Sequence, residues 1–195
     1  MRVISGRFKG FSLDTPKTGT RPTTDRVKEA LFSHLDNSGF LEDARVLDLF
    51  AGTGALAFEA LSRGASSAVV VDAAPAAVAL LKQATARVKK LGAWTPDVQI
   101  SVRRGKAETV AARLGEGDDY SLVFLDPPYE YSDADFDALV EQLTTSGALA
   151  DGEETVIVTE RSSRSAAPSV PEGWAVEQAR SYGETAVTYL VRAEE

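Results

Sequence analysis

A strand that stops at an acid, two prolines and a tyrosine can present a carboxylate and an aromatic ring together at one edge of a sheet. Leu122-Val-Phe-Leu-Asp-Pro-Pro-Tyr129 is such a stretch. Its four apolar residues lack polar alternation, which suits a strand covered on both faces, as in a parallel sheet. Pro127 and Pro128 cannot donate to a ladder, so the strand must end there. Asp126 and Tyr129 are then expected at the carboxyl edge, where open α/β folds place their ligands. Asp-Pro-Pro is also ordinary turn chemistry. By itself the stretch leaves a ligand site and a surface turn equally open.

A second stretch adds weight. Asp48-Leu-Phe-Ala-Gly-Thr-Gly-Ala-Leu-Ala57 follows an apolar run and opens a helical pattern. Glycines at Gly52 and Gly54 let the backbone turn tightly and approach a ligand. Asp72 comes eighteen residues after Gly54, at the end of the next apolar run, and is placed to meet ribose hydroxyls. Gly52-x-Gly54-x-x-Ala57 satisfies the relaxed dinucleotide pattern, so a nicotinamide enzyme has to be weighed. Asp48 argues against it. A carboxylate in the mouth of the site repels a pyrophosphate and holds an ammonium group. Hydride transfer also has no use for Asp126-Pro-Pro-Tyr129. S-adenosylmethionine, with a ribose for Asp72 and a cationic amino-acid end near Asp48, fits better.

The elements that must position these residues alternate along the chain. Strands are expected at Val46–Leu49, Ala68–Val71, Val98–Val102, Leu122–Leu125 and Thr155–Thr159. Helices are expected over Ala55–Ser62, from Pro75 to about Leu91, over Ala107–Leu114 and after Ser132. Ser132 followed by Asp135 resembles a capping arrangement. An earlier helix should follow Arg21-Pro22-Thr23, with Thr23 or Thr24 as N-cap and Val27, Leu31 and Leu35 inward. His34, the only histidine, lies beside that stripe and reads as a packing or surface residue. Ala175–Ala179 and Ala186–Val191 read as an antiparallel pair closing the sheet. The expected fold is one α/β sandwich around a mostly parallel sheet of seven strands, antiparallel at its C-terminal end. A short N-terminal extension, residues 1–23, is expected to form a hairpin ahead of a domain over 24–195.

At 195 residues the chain can bury a proper core. It has no cysteine, which excludes disulfides, thiolate metal sites and a cysteine nucleophile. No apolar run reaches the ~20 residues of a membrane span, and the start lacks the apolar stretch of a secretion signal. A cytoplasmic location is the natural expectation. The net charge of −8 speaks against a nucleic-acid partner until its distribution is seen. Residues 1–28 hold seven Lys/Arg against two acids, a basic arm on an acidic body that could grip phosphates.

With these pieces in place, the chain resembles Rossmann-like class I S-adenosylmethionine methyltransferases, and more closely the RsmD-type enzymes that modify a guanine N2 in small-subunit ribosomal RNA. The resemblance is carried by Arg2-Val-Ile-Ser-Gly-Arg7 with Thr20-Arg-Pro-Thr-Thr-Asp-Arg-Val-Lys-Glu29, by Asp48–Gly54, by Asp126–Tyr129 and by Ser181-Tyr-Gly-Glu-Thr185. The Arg-Pro-Thr-Thr-Asp-Arg segment is its most specific piece. It implies catalysis by Asp126, Pro127 and Tyr129. It also implies cofactor contacts from Asp48, Ala51, Gly52, Thr53, Gly54 and Asp72. There are departures. Ala74 stands where similar proteins often carry a second acid. The chain reads Arg104-Gly-Lys106-Ala107 where many methyltransferases have an Asp or Asn for the adenine, so backbone amides at Lys106 and Ala107 are the expected substitute.

The expected partner is 16S ribosomal RNA or the assembling small subunit, held by Arg2, Arg7, Lys9, Lys17 and Arg21, with the protein a monomer that needs no metal. An adenine-N6 DNA or RNA methyltransferase shares the Asp-Pro-Pro-Tyr chemistry, but such enzymes usually carry extra sequence for reading bases. A non-catalytic nucleotide-binding module, with Asp126–Tyr129 only a turn, and a nicotinamide oxidoreductase are the rivals from other classes.

Overall fold

The computed structural model describes residues 1–15 and 25–193. Lys17, Arg21 and the expected caps Thr23 and Thr24 lie outside them.

Apolar runs without polar alternation become the centre of the sheet. Strand β1 (Arg45–Asp48) and the fourth strand, Leu122–Leu125, pair in parallel, and all four residues of the latter are fully buried. In chain order, α1 (Asp25–Asn37) precedes β1; α2 (Ala55–Arg63), β2 (Ser67–Asp72), α3 (Pro75–Val88) and β3 (Gln99–Arg104) follow it. Then come α4 (Ala107–Ala111), β4 (Leu122–Leu125), α5 (Asp133–Thr145), β5 (Val156–Ser162), β6 (Trp174–Tyr182) and β7 (Thr185–Arg192). The sheet order is β3-β2-β1-β4-β5-β7-β6. The first five strands are parallel, and β7 is antiparallel to both β5 and β6. Strand order reverses between β1 and β4, which makes their carboxyl ends the switch point of the sheet.

Helices cover both faces. Val46 and Val70 face a core shared with α1, α2 and α3, whereas Leu47, Leu49 and Val123 face one shared with α4 and α5. Ser132 caps α5 as its spacing predicts: its hydroxyl accepts from the Asp135 amide at 3.1 Å and donates to the Asp135 carboxylate at 2.6 Å. Leu91 departs from expectation. Helix α3 ends at Val88, three residues short of it, and Leu91 is 37% exposed. His34 meets Glu177 at 2.8 Å and lies edge-on to the buried Tyr189 ring, a packing role.

Residues 1–15 form a loop closed by a single antiparallel bridge, Arg2 to Ser12, with the Val3 amide donating to the Phe11 carbonyl. Val3, Phe8 and Leu13 are buried in the core. Glu59 of α2 is what holds this loop. Its fully buried carboxylate accepts the amides of Ile4 (2.7 Å) and Ser5 (3.0 Å) and the Nε of Arg63 (2.8 Å). Lys28 of α1, also fully buried, lies 3.3 Å away and donates to the Arg2 carbonyl. Gly6 then passes so close to the end of α2 that a Cβ would sit 1.9 Å from the Ser62 carbonyl, at φ +77°. Only glycine fits there.

Removing one member of a buried ion pair strands the other without water. Glu59→Ala is therefore expected to lose about 3–5 kcal/mol in a urea titration. Residues 1–15 should also become sensitive to protease under native conditions. Glu59→Gln combined with Lys28→Met, which leaves no lone charge, should recover part of the loss. A change under about 1 kcal/mol for Glu59→Ala would show that the carboxylate does not hold the loop.

Candidate active site

The carboxyl ends of β1, β2, β3 and β4 surround a cavity of about 640 Å³, within the range of small-molecule sites. Asp48, the last residue of β1, lines it while only 1% exposed. Burial raises its pKa from the ordinary carboxylate range to about 7. The Phe50 and Ala57 amides oppose that rise, and the nearby Asp72 charge adds to it. Its Oδ1 has no hydrogen-bond partner among the described residues. A buried acceptor in that condition is costly unless something supplies a donor, and a cation at the cavity would do so.

The loop after Asp48 is bound to the next strand. The Ala51 amide donates to the Val71 carbonyl at 2.9 Å, and the Gly52 amide donates to Asp72 Oδ2 at 2.8 Å. The other oxygen of Asp72 accepts the Ala74 amide at 2.8 Å. Asp72 thus fixes the glycine loop and the start of α3, and it lines the cavity with acceptor capacity left on both oxygens. Gly54 has φ +79°, and a Cβ there would come within 2.8 Å of Leu81 and Phe58 side chains, so a larger residue would push α2 away. Lys106 and Ala107 line the far wall at the start of α4, Lys106 exposed and Ala107 buried.

Asp126, Pro127 and Tyr129 line the same cavity. Asp126 is half-buried at its rim, and Tyr129 is 65% exposed, an aromatic ring held out at the mouth. The structure therefore brings together Asp48, Ala51, Gly52, Thr53, Asp72, Lys106, Ala107, Asp126, Pro127 and Tyr129 around one space. Gly54 supports it from behind. Arg2, Arg7 and Lys9 are exposed. The β6–β7 turn also reaches the site, where Thr185 lines the cavity.

Several residues escaped the sequence reading. Tyr131 donates to Glu108 at 2.6 Å and sets its ring edge-on to Phe50, with centroids 5.2 Å apart. This ties the loop after β4 to the first turn of α4. Burial, and then the Glu108 hydrogen bond, push the Tyr131 hydroxyl well above the phenol range, so it stays a donor. Arg161 at the end of β5 lies over the Phe136 ring at 4.4 Å and donates to the Tyr131 carbonyl (3.2 Å) and to Asp133 (2.6 Å). Met1 and Thr15 line the cavity from the N-terminal loop, with the Thr53 hydroxyl 3.6 Å from the Met1 sulfur. No spacing rule marks these residues; only folding brings them to the site.

Comparison with known proteins agrees with this geometry. The family model Conserved hypothetical protein 95 matches residues 1–191. Ribosomal RNA small subunit methyltransferase D of Escherichia coli K12 is 34% identical over 194 residues, covering 95% of this chain and 87% of the relative. The protein of the same name in Haemophilus influenzae is 32% identical over 133 residues, covering 68% of this chain and 65% of that one. The solved structure of a hypothetical protein from Thermus thermophilus superposes with a TM-score of 0.76 at 28% identity and covers 99% of both chains. With the family model spanning nearly its whole length, the chain belongs to the Conserved hypothetical protein 95 family, that of the RsmD-type methyltransferases.

Proposed function

We propose that the protein methylates the exocyclic N2 amine of a guanine in small-subunit ribosomal RNA, with S-adenosylmethionine as donor. One observation carries this: a buried carboxylate with an unpartnered oxygen and a glycine loop share a single cavity with Asp126, the Pro127 carbonyl and an outward-facing tyrosine. The E. coli and H. influenzae relatives, by name ribosomal RNA methyltransferases, supply the RNA. S-adenosylmethionine, when bound, supplies an electrophilic methyl group on a sulfonium, which needs no metal to activate it. Asp48 would hold its ammonium group, and Asp72 would accept from the ribose hydroxyls. Ala51, Gly52 and Thr53 would flank it, with Lys106 and Ala107 offering backbone amides to the adenine.

The guanine amine is a poor nucleophile because its lone pair is delocalised into the ring. Asp126 accepts one N–H and the Pro127 carbonyl the other. Two acceptors favour a pyramidal nitrogen with its lone pair free to attack, so the contribution of these residues is positioning and charge placement. Asp126 takes a proton only as the nitrogen becomes cationic. Tyr129 stacks on the base, which must leave its helix to reach the cavity. Residues 1–23 act as the RNA-contacting extension of a methyltransferase domain over 24–195, through Arg2, Arg7, Lys9, Lys17 and Arg21. In this reading the protein works as a monomer in the cytoplasm, where a ribosomal RNA substrate is met.

Radiolabelled methyl transfer to small-subunit particles, naked ribosomal RNA and DNA, followed by nucleoside analysis, tests the assignment. N2-methylguanosine is expected; N6-methyladenosine, or no transfer to any RNA, would overturn it. Asp126→Ala should lose transfer at least about a hundredfold and keep its affinity for S-adenosylhomocysteine within threefold or so. Undiminished transfer by that variant would sink the mechanism. Tyr131→Phe keeps the ring against Phe50 but loses the tie to Glu108. It should lower kcat by roughly tenfold or more, because small displacements of a reacting group are costly, while the KM for the donor changes little. An unchanged kcat would make the tie incidental.

Asp48 predicts a pH dependence. Its folded pKa, about 7, lies above the ordinary carboxylate value, so between the two the folded protein holds a proton that the unfolded chain lacks. Stability drawn from that proton falls as pH rises through this window. A bound ammonium favours the ionised form, so binding below about pH 7 must expel the proton. Calorimetry of S-adenosylhomocysteine in buffers of different ionisation heat should find close to one proton released near pH 5.5 and few near pH 8. Affinity should rise by up to about tenfold per pH unit below 7 and then level off. Asp48→Asn should abolish the trend, and a flat profile in the unsubstituted protein would remove Asp48 from the ammonium site.

A further inference from the structure

The N-terminal loop and helix α3 share a face, and the charge on that face has the opposite sign to the protein. Residues 73–96, which are α3 with the turns around it, contain Lys82, Arg87, Lys89 and Lys90 and no acid. Residues 1–15 contain Arg2, Arg7 and Lys9 against Asp14. Together the two segments hold seven basic residues and one acid, and the rest of the chain holds fourteen basic and twenty-eight acidic. The one acid is neutralised in place, since Arg87 donates to Asp14 at 2.8 Å.

The segments are packed together along their length. Phe8 stacks on Trp94 with ring centroids 5.7 Å apart, and Arg7 reaches Thr95 at 3.3 Å. Arg87 lies over Phe11 at 5.3 Å, and Lys89 lies over Trp94 at 5.8 Å. The outward side of α3 is built from small and basic residues: Ala76, Ala79, Lys82, Ala86, Arg87 and Lys90, all exposed and recurring at helical spacing. Alanines between the cations leave a surface to which a chain of phosphates can come close. Asp97, hydrogen-bonded by Thr95 and near Arg7, borders this face at its far end. At its near end the face opens onto the cavity, where Met1, Thr15, Ala73 and Ala74 form part of the wall. Fourteen residues of helix run about 21 Å from there toward the opposite edge of the sheet.

We propose that this face, α3 with its trailing turn and the N-terminal loop, is the surface that holds the phosphate backbone of the RNA while the target base enters the cavity. The proposal rests on the RNA reading above and extends it to residues on α3 that belong to no basic arm. Phosphate contacts of this kind fix register and orientation and carry no sequence information. Each one releases counterions, so each has a signature in salt dependence.

Binding of the full-length protein to naked small-subunit ribosomal RNA and to small-subunit particles, measured across a salt series, tests this. Lys82→Gln with Lys90→Gln should lower the slope of log affinity against log salt by about 1.5, and adding Arg7→Gln and Lys9→Gln should lower it by about 3. Affinity for S-adenosylhomocysteine should not change in any of these. A control with Arg113→Gln and Arg180→Gln, of the same net charge as the first pair, should keep the wild-type slope. If the α3 pair behaves like that control while the wild-type protein still binds and methylates RNA, the face is wrong and the activity stands. If the α3 variants lose affinity for particles only, the face meets ribosomal protein and not RNA. If the wild-type protein has no affinity for RNA, both the face and the RNA reading fall.

Discussion

The Glu59 carboxylate is the point on which the rest of the molecule depends. It is fully buried, faces a fully buried lysine, and accepts two consecutive amides from a loop more than fifty residues away in the chain. A buried carboxylate is tolerable only where its lone pairs are all used. Arg63 and Lys28 use part of that capacity and the amides of residues 4 and 5 use the rest, so the position of the N-terminal loop follows from electrostatics as much as from the apolar Val3, Phe8 and Leu13. Once the loop is there, Met1 and Thr15 become a wall of the cavity, and Arg7 and Lys9 become neighbours of α3. A single ion pair thus joins the donor pocket and the basic face to the same scaffold.

That constraint could not be read from the sequence, and the reason is physical. Glu59 lies in Ala55-Leu-Ala-Phe-Glu-Ala-Leu-Ser-Arg63, where an acid four residues before an arginine looks like a surface helical pair. The pair to Arg63 does form, but its other partners are supplied by tertiary structure. Local signals fared better. Prolines end β4 at Leu125, Ser132 caps α5, and the glycine turn starts α2, because backbone geometry at those points depends on the residues themselves. Leu91 shows the limit of periodicity. It continues the apolar stripe of α3 on paper, yet the helix stops at Val88, and the chain turns off the core through Gly92.

The same division runs through the site. Asp48, Asp72 and Asp126 were legible because strand ends bring acids to one edge whatever the loops do. Their different states were not. Asp72 spends an oxygen on each of two amides, whereas Asp48 keeps one oxygen without a partner and is raised to about 7 by burial. Two carboxylates near one another need not both be ionised when one is dry. The cavity by itself is therefore less negative than its residues suggest, and an incoming cation creates the charge that holds it. The Tyr131–Glu108 tie was equally hidden, since one partner is on the loop after β4, the other is in the first turn of α4, and they share no spacing.

An overall charge of −8 sits awkwardly with an RNA substrate until distances are considered. Screening reduces interactions between exposed charges beyond about 8 Å at physiological salt. Helix α3 belongs to one core and α5 to the other, with the whole sheet between them, so their outer faces are separated by roughly 20 Å of helix and sheet packing. Helix α5 and its first turn carry Asp133, Asp135, Asp137 and Glu141, on the far side of that thickness. A phosphate against α3 responds to the cations within a Debye length and hardly at all to those acids. Net charge then governs solubility and the long-range approach at low salt, and the local face governs what is held. The acidic side has a use of its own in such an arrangement. It would disfavour docking of RNA against α5, so that sign alone would orient the encounter before a base is read.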